Sequence, residues 1–224
     1  SQVCGSISAY SSVRGSIEDE QKVSGYMTLS AKALLSKQAE MTELVHKTLT
    51  SVRFDELSRI RELVSQQRTR KEQSVTGQGH SLAIMAAVSQ LSPGGLLSHN
   101  LRGLQSIRAV KELDESIRDE SNLKQLAGSL EALHQKLLNA PRRFLIVTEA
   151  EHQQQVAETL AAQWQATTTD GDFVPFELPS IRSTVTQAWT TSTQVNFCAK
   201  AYPTVPVEHA DAAALTVLGD FLRN

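Results

Sequence analysis

The sequence predicts an α+β fold, an antiparallel sheet packed against several helices, followed by the beginning of a second, similar domain. Three observations predict it. Two short runs near the start alternate apolar and polar residues, as strands do. Residues 36–139 then carry apolar residues three or four apart, as helices do. Beyond a polar stretch at 166–182, segments of strand character resume ahead of one last amphipathic helix.

Composition bounds the class. The 224 residues are 40% hydrophobic and 21% charged, ordinary for a globular chain that can bury a core. Aromatic residues make up only 5%, so the core must rest on Leu, Val, Ile and Ala. A formal net charge of −2 and a pI near 6.3 leave no basic excess to displace counterions from a phosphate backbone, which argues against a nucleic-acid partner. Two cysteines, Cys4 and Cys198, stand far apart with no CxxC spacing, the usage of an intracellular protein with incidental thiols. No apolar run approaches the ~20 residues that span a bilayer, so no membrane partner is expected. The opening Ser1-Gln2-Val3-Cys4-Gly5 has no signal-peptide pattern, as any piece from mid-chain would also lack.

The elements follow in order. Val3 to Ala9 places Val3, Gly5, Ile7 and Ala9 on one side, and 25–33 separates Met27, Leu29, Ala31 and Ala33 from Tyr26, Thr28, Ser30 and Lys32. With a polar loop over 14–24 between them, they predict an antiparallel hairpin. Ser36 offers an N-cap for a helix with Met41, Leu44, Val45 and Leu49 on one stripe. A second helix starts near Asp55 with Leu57, Ile60, Leu63 and Val64, and ends at Gly77-Gln78-Gly79. Residues 81–90 are small and apolar, suited to a closely packed helix. Ser92-Pro93 gives an N-cap followed by N1 proline for a helix whose stripe continues through Leu96, Leu97, Leu101, Leu104 and Ile107. Residues 122–139 carry Leu123, Leu126, Leu130, Leu133, Leu137 and Leu138 at near-heptad spacing. Fewer than three heptads are present, so packing against the sheet is the reading over a coiled coil. Pro141 stops that helix, Phe144 to Thr148 reads as a short buried strand, and 151–165 as the next helix. The run 166–182, with Thr167-Thr168-Thr169, Gly171, Pro175 and Pro179, reads as a linker. Beyond it, 184–195 and 196–202 have strand character and 207–223 is amphipathic. The first 165 residues therefore read as one domain, helix-rich over 36–139. Residues 183–224 read as the truncated opening of another, because a strand pair and one helix cannot form an independent core.

A search for chemistry returns no catalytic, cofactor-binding or metal-binding residue. The six histidines, His46, His80, His99, His134, His152 and His209, include no i, i+4 pair, and neither HExxH nor HxxEH occurs. Glu151-His152 is the nearest look-alike and lacks a histidine three residues before the glutamate. Each histidine reads as a surface or half-buried residue. No GxSxG, P-loop or GxGxxG is present; Gly77-Gln78-Gly79-His80 reads as a tight interhelical turn rather than an anion-holding one. The basic run Arg68-Thr69-Arg70-Lys71 is balanced by Glu62 and Glu72 and reads as a solvated helix face.

Several segments in order carry a resemblance. These are 54–63 (FDELSRIREL), 74–83 (SVTGQGHSLA), 91–95 (LSPGG), 101–104 (LRGL) leading to Lys111-Glu112-Leu113, with 29–34 upstream and 194–202 downstream. Together they resemble the C-terminal half of an insulinase-type (pitrilysin-like) zinc metallopeptidase, in the presequence-protease branch. The resemblance implies four related α+β domains forming two halves that close around a peptide chamber. Zinc, its two histidine and one glutamate ligands and the general-base glutamate belong to the N-terminal half. There the metal would lower the pKa of a bound water and polarise the scissile carbonyl. This chain would be the third domain (1–165), a linker (166–182) and the start of the fourth (183–224), holding no zinc and contributing chamber wall and substrate enclosure. An Arg and Tyr pair of the family that helps bind substrate is expected beyond Asn224, so no functional residue carries over. The implied partners are the N-terminal catalytic half of the same polypeptide and peptide substrates. The implied location is intracellular, cytoplasmic in a bacterium and organellar in a eukaryote. Exposed apolar surface and strand edges in the isolated chain predict self-association. Two other readings stay open: a non-enzymatic helical interaction module working through 122–139, and a complete subunit of a two-chain peptidase.

Overall fold

The structure, a computed structural model, describes residues 3–19, 21–164, 178–191 and 193–223. The chain is α+β. Among the described residues it has two strands, β1 (Ser6–Gly15) and β2 (Val23–Lys32), and eight helices. The helices are α1 (Gln38–Thr50), α2 (Leu57–Gly77), α3 (Gly79–Val88), α4 (Pro93–Arg102), α5 (Leu104–Ser116), α6 (Glu120–Leu138), α7 (Gln153–Trp164) and α8 (Ala212–Arg223). The hairpin forms as expected but runs further, because the loop between its strands is held to 16–22. Ser16 N–H donates to the Lys22 carbonyl at 2.8 Å and Gly5 N–H to the Lys32 carbonyl at 2.9 Å, the antiparallel sense.

The chain divides into two compact units. One draws its described residues from Ser1–Ser12, Tyr26–Ile60 and Asp119–Val174. Here α1 packs along α7, and the buried Trp164 at the end of α7 meets His46 of α1 edge-on at 4.9 Å and Phe144 at 5.4 Å. Arg142 lies over the same indole, 5.6 Å from its centroid. The Asp119 carboxylate caps α6, accepting from Ser121 N at 2.8 Å and Asn122 N at 3.2 Å, and α6 buries Leu123 and Ala127.

The other unit draws on Val13–Gly25, Arg61–Arg118 and Pro175–Asn224. Its core includes Val23, Leu82, Ala86 and Ile117. The Ser92 hydroxyl accepts from Gly95 N at 3.1 Å with Pro93 at N1, the predicted start of α4. Gln21, in the hairpin loop, donates to the Leu91 carbonyl at 3.2 Å and accepts from Ser180 Oγ and Ile181 N at 2.9 Å each.

Four expectations are corrected. Ser36 does not cap α1; it lies inside a 3₁₀ turn (Leu35–Lys37) closed by Lys37 N–H on the Leu34 carbonyl, so α1 starts at Gln38 without a side-chain cap. The stripe from Leu96 to Ile107 is two helices, because Gly103 is extended (φ −82°, ψ −167°). A Cβ on Gly103 would lie 2.7 Å from His99 Nδ1 and 2.8 Å from the His99 carbonyl oxygen, so the break needs the glycine. Phe144 to Thr148 has no ladder partner among the described residues, and Leu145 and Val147 are each 90% exposed. An apolar run becomes a strand only where an edge is available to pair with it.

The fourth correction concerns 184–202, whose described residues form no strand. They run as an extended strap over the second unit. Ser183 N–H donates to the Gln90 carbonyl at 2.9 Å, Gln187 Nε2 to Ser89 Oγ at 3.3 Å, and the Phe197 ring covers Gly79. The expected linker at 166–182 lies outside the described residues except for 178–182.

Candidate functional site

The structure places each histidine separately. His46 packs on Trp164, His80 is exposed, and His209 lies 3.7 Å from the exposed Asp211 carboxylate. His134 on α6 donates from Nε2 to the Leu49 carbonyl at 2.6 Å and lies 5.4 Å from the Phe54 ring. A carbonyl can only accept, so that contact fixes the tautomer. His99 departs from the expectation of a surface or half-buried residue. It is 5% exposed, its Nδ1 has no partner among the described residues, and its ring meets Trp189 of the strap edge-on at 5.7 Å. Burial, and then the Arg108 guanidinium, push its pKa below the usual imidazole value. Cys4 is buried and Cys198 exposed, with no disulfide between them.

Glu149, Glu151 and His152 come together on the 3₁₀ turn Ala150–His152, with His152 Nε2 3.8 Å from Glu149 and 3.2 Å from Glu151. The sequence pointed to Glu151-His152; Glu149 joins them because one turn brings residues three apart onto one side. These donors do not fit a peptidase zinc. All come from four successive residues, the two carboxylates are 79% and 74% exposed, and nothing among the described residues orients the second imidazole nitrogen. The trio is a solvated turn.

Among the described residues, each unit has a concave surface. In the first, the connection between α1 and α2 faces α6 across an open groove of about 520 Å³. Val52, Phe54 and Leu57 line one side, and Ala127, Gly128 and Glu131 the other. The His134 contacts to Leu49 and Phe54 hold that connection to α6. Gly128 is a mid-helix glycine without a positive φ, and a Cβ there meets nothing within 4 Å. Such a residue costs roughly 1 kcal/mol of helix stability relative to alanine. In the second unit, Thr204, Val205 and Val207 face the first turns of α8 across about 530 Å³. Further along α8, Val217, Phe221 and Leu222 are 69%, 77% and 74% exposed.

Residues 1–113 match the profile of the family described as peptidase M-16C associated. Similar curated proteins include the Arabidopsis thaliana "Presequence protease 1, chloroplastic/mitochondrial", 28% identical over 137 residues, which covers 60% of this chain and 12% of that protein. A "Presequence protease, mitochondrial" from Yarrowia lipolytica is 25% identical over 196 residues, 85% of this chain and 19% of that one. Its Drosophila melanogaster namesake is 25% identical over 207 residues, 92% and 20% respectively. The chain thus spans a fifth or less of the length of these relatives. With half of its residues matched by the family profile, in the order that carried the resemblance, the chain belongs to this peptidase-associated family.

Proposed function

We propose that this chain is a non-catalytic part of a zinc-dependent metalloendopeptidase that degrades peptides inside a closed chamber, and that its role is chamber wall and substrate enclosure. The observation that carries this reading is the match of 85–92% of the chain to about a fifth of each of two presequence proteases. A segment of a long protease can contribute without chemistry of its own, by excluding folded proteins and holding an extended peptide in place. In this reading the zinc and its ligands belong to the N-terminal half of the same polypeptide, as the family resemblance implies. The names of the relatives favour an organellar location in a eukaryote; in a bacterium the same machinery would be cytoplasmic.

The alternative of a helical interaction module has less support. Leu123 and Ala127 of the Leu-rich α6 are spent on the core of its own unit. The test compares three proteins on a mixture of unfolded peptides: this chain alone, the full-length protein, and the full-length protein lacking this chain. Turnover is expected from the full-length protein only. Chelator-sensitive cleavage by the isolated chain overturns the reading.

A further inference from the structure

We propose that His99 is a proton-operated latch: protonating its imidazole releases the strap over 184–199 from α3, α4 and α5 while those helices stay folded.

The surroundings of Trp189 point to it. The Trp189 indole meets the His99 ring edge-on at 5.7 Å, and the Arg108 guanidinium lies 5.6 Å from its centroid. Gln187 accepts from the indole nitrogen at 2.9 Å and donates to Ser89 Oγ at 3.3 Å, which fixes the ring. Further on, the Thr191 and Thr193 hydroxyls bond to one another, and Thr193 Oγ1 donates to the Val195 carbonyl, all within the strap. Trp189 is thus the anchor of the stretch between Gln187 and Phe197. It packs on a histidine that is 5% exposed and whose Nδ1 is unpartnered among the described residues.

A proton on that ring finds no counterion. Neither α3 nor α4 carries an Asp or Glu, and the described strap residues carry none. The three carboxylates of α5 face other groups: Glu112 lies 3.9 Å from Arg108, and Asp114 and Glu115 lie 2.9 Å and 4.0 Å from Arg68. Glu72 of α2 is 3.1 Å from the same Arg68. The hairpin reaches α4 at its opposite end, where Val23 lies against Gly94; there Asp19 is 3.9 Å from Lys22 and Glu18 is exposed. Cations are close instead. Arg108 opposes a second positive charge at His99, Lys71 of α2 donates to the Leu101 carbonyl at 3.2 Å, and Arg102 shares the last turn of α4. Lys111, His80, and the strap's Arg182 and Lys200 are the remaining basic groups on α5, α3 and the strap, whose Cys198 and Tyr202 are exposed. The C-terminal end of α4 favours a cation, and Arg108 works against it.

A buried imidazolium without a partner must be hydrated. Lifting Trp189 does this with the least disruption, since a strap held by a few contacts opens before packed helices do. The closed strap prefers the neutral ring, and the open strap accepts the proton near the ordinary value of about 6.5. Opening therefore grows as pH falls below that value, by at most about tenfold per pH unit for one proton.

The test follows the full-length protein by mass spectrometry. Hydroxyl-radical labelling reads the exposure of Trp189, amide exchange reads α3 to α5, and exchange at the imidazole C2 carbon reads the His99 pKa. Trp189 is 36% exposed with the strap in place. Its labelling should rise about two- to threefold as pH falls from about 7.5 to about 5.5, while α3 to α5 keep their amide protection. His99→Asn should hold the labelling constant over the same range. Should that variant not fold, Trp189→Ala decides, because it should raise the His99 pKa toward about 6.5. Constant labelling in the native protein, strap and helices that loosen together, an undiminished rise in His99→Asn, or a His99 pKa unmoved by Trp189→Ala each overturn the proposal.

Discussion

The Arg68 guanidinium of α2 donates to the Asp114 carboxylate of α5 at 2.9 Å and to Glu72, one turn along its own helix, at 3.1 Å. Hydrogen bonds to Asp114 and then Glu72 hold the guanidinium proton more tightly than usual. Lys71 alongside donates to Ser106 Oγ at 2.8 Å and to the Leu101 carbonyl at 3.2 Å, and burial lowers its pKa. Two members of the basic run therefore fasten α2 to α4 and α5 instead of facing solvent. Asp114 is the interhelical partner, so Arg68→Ala should lower the unfolding midpoint of the chain by a few degrees. Glu72→Gln should have a smaller effect, and Arg68→Lys should recover only part of the loss, since one ammonium cannot serve both carboxylates with the fork geometry of arginine. Thermal denaturation of the three variants checks the order; an unshifted Arg68→Ala would show the pair to be ornamental.

His99 should make stability depend on pH. Its folded pKa lies below the unfolded value of about 6.5, through burial first and Arg108 second. Between those two values the unfolded chain binds more protons than the folded one, so stability rises with pH there. Equivalently, it is lost as pH falls from about 6.5. Urea titrations at neutral and mildly acidic pH should show this loss in the native chain and a flatter profile in His99→Asn, whatever the variant's absolute stability. Trp189, which packs on His99, should report the change by fluorescence. Identical pH slopes would place the acid sensitivity elsewhere.

A third prediction concerns the strap. A Cβ on Gly79 would overlap the Phe197 ring, although no glycine in the described chain has a positive φ. Gly79 is therefore needed for the approach of Phe197 and not for its backbone conformation. Phe197 is half-exposed and can swing away, so Gly79→Ala should cost about 1 kcal/mol, the low end for overpacking. It should loosen 195–199 in hydrogen exchange while the helices stay protected. Adding Phe197→Ala should make the glycine substitution neutral or stabilising. If the double variant is as impaired as the sum of the singles, the ring and the glycine are uncoupled.

How much of this was legible follows from the range of the forces involved. Ser92-Pro93 announced the start of α4 because a cap is satisfied within one turn, and the hairpin was legible from the alternation over 25–33, although β1 buries no residue and β2 buries Val23 alone. The break at Gly103 depends on the His99 side chain and carbonyl packed against it, whereas the Asp119 cap of α6 is a local contact complete within one turn. The runs 144–148 and 184–202 have β-branched and aromatic composition, yet strand formation depends on a neighbouring edge, which composition cannot supply. The burial of His99 was not legible either, because it involves Trp189, a residue distant in sequence that packs on the ring.

The last prediction concerns association of the isolated chain. Val217 and Phe221, and Leu218 and Leu222, are spaced one turn apart, so each pair lies together on the surface of α8. All four are exposed, from 48% at Leu218 to 77% at Phe221. An apolar stripe of that kind in water favours whatever covers it. In the isolated chain the available cover is a second copy, so sedimentation should show mass increasing with concentration. Phe221→Ser combined with Val217→Ser should shift the chain toward monomer without changing its helix content, since both residues are exposed and make little contribution to the core. A chain that stays monomeric across a hundredfold range of concentration would mean the stripe is shielded within the monomer, and the double variant should then unfold more readily instead.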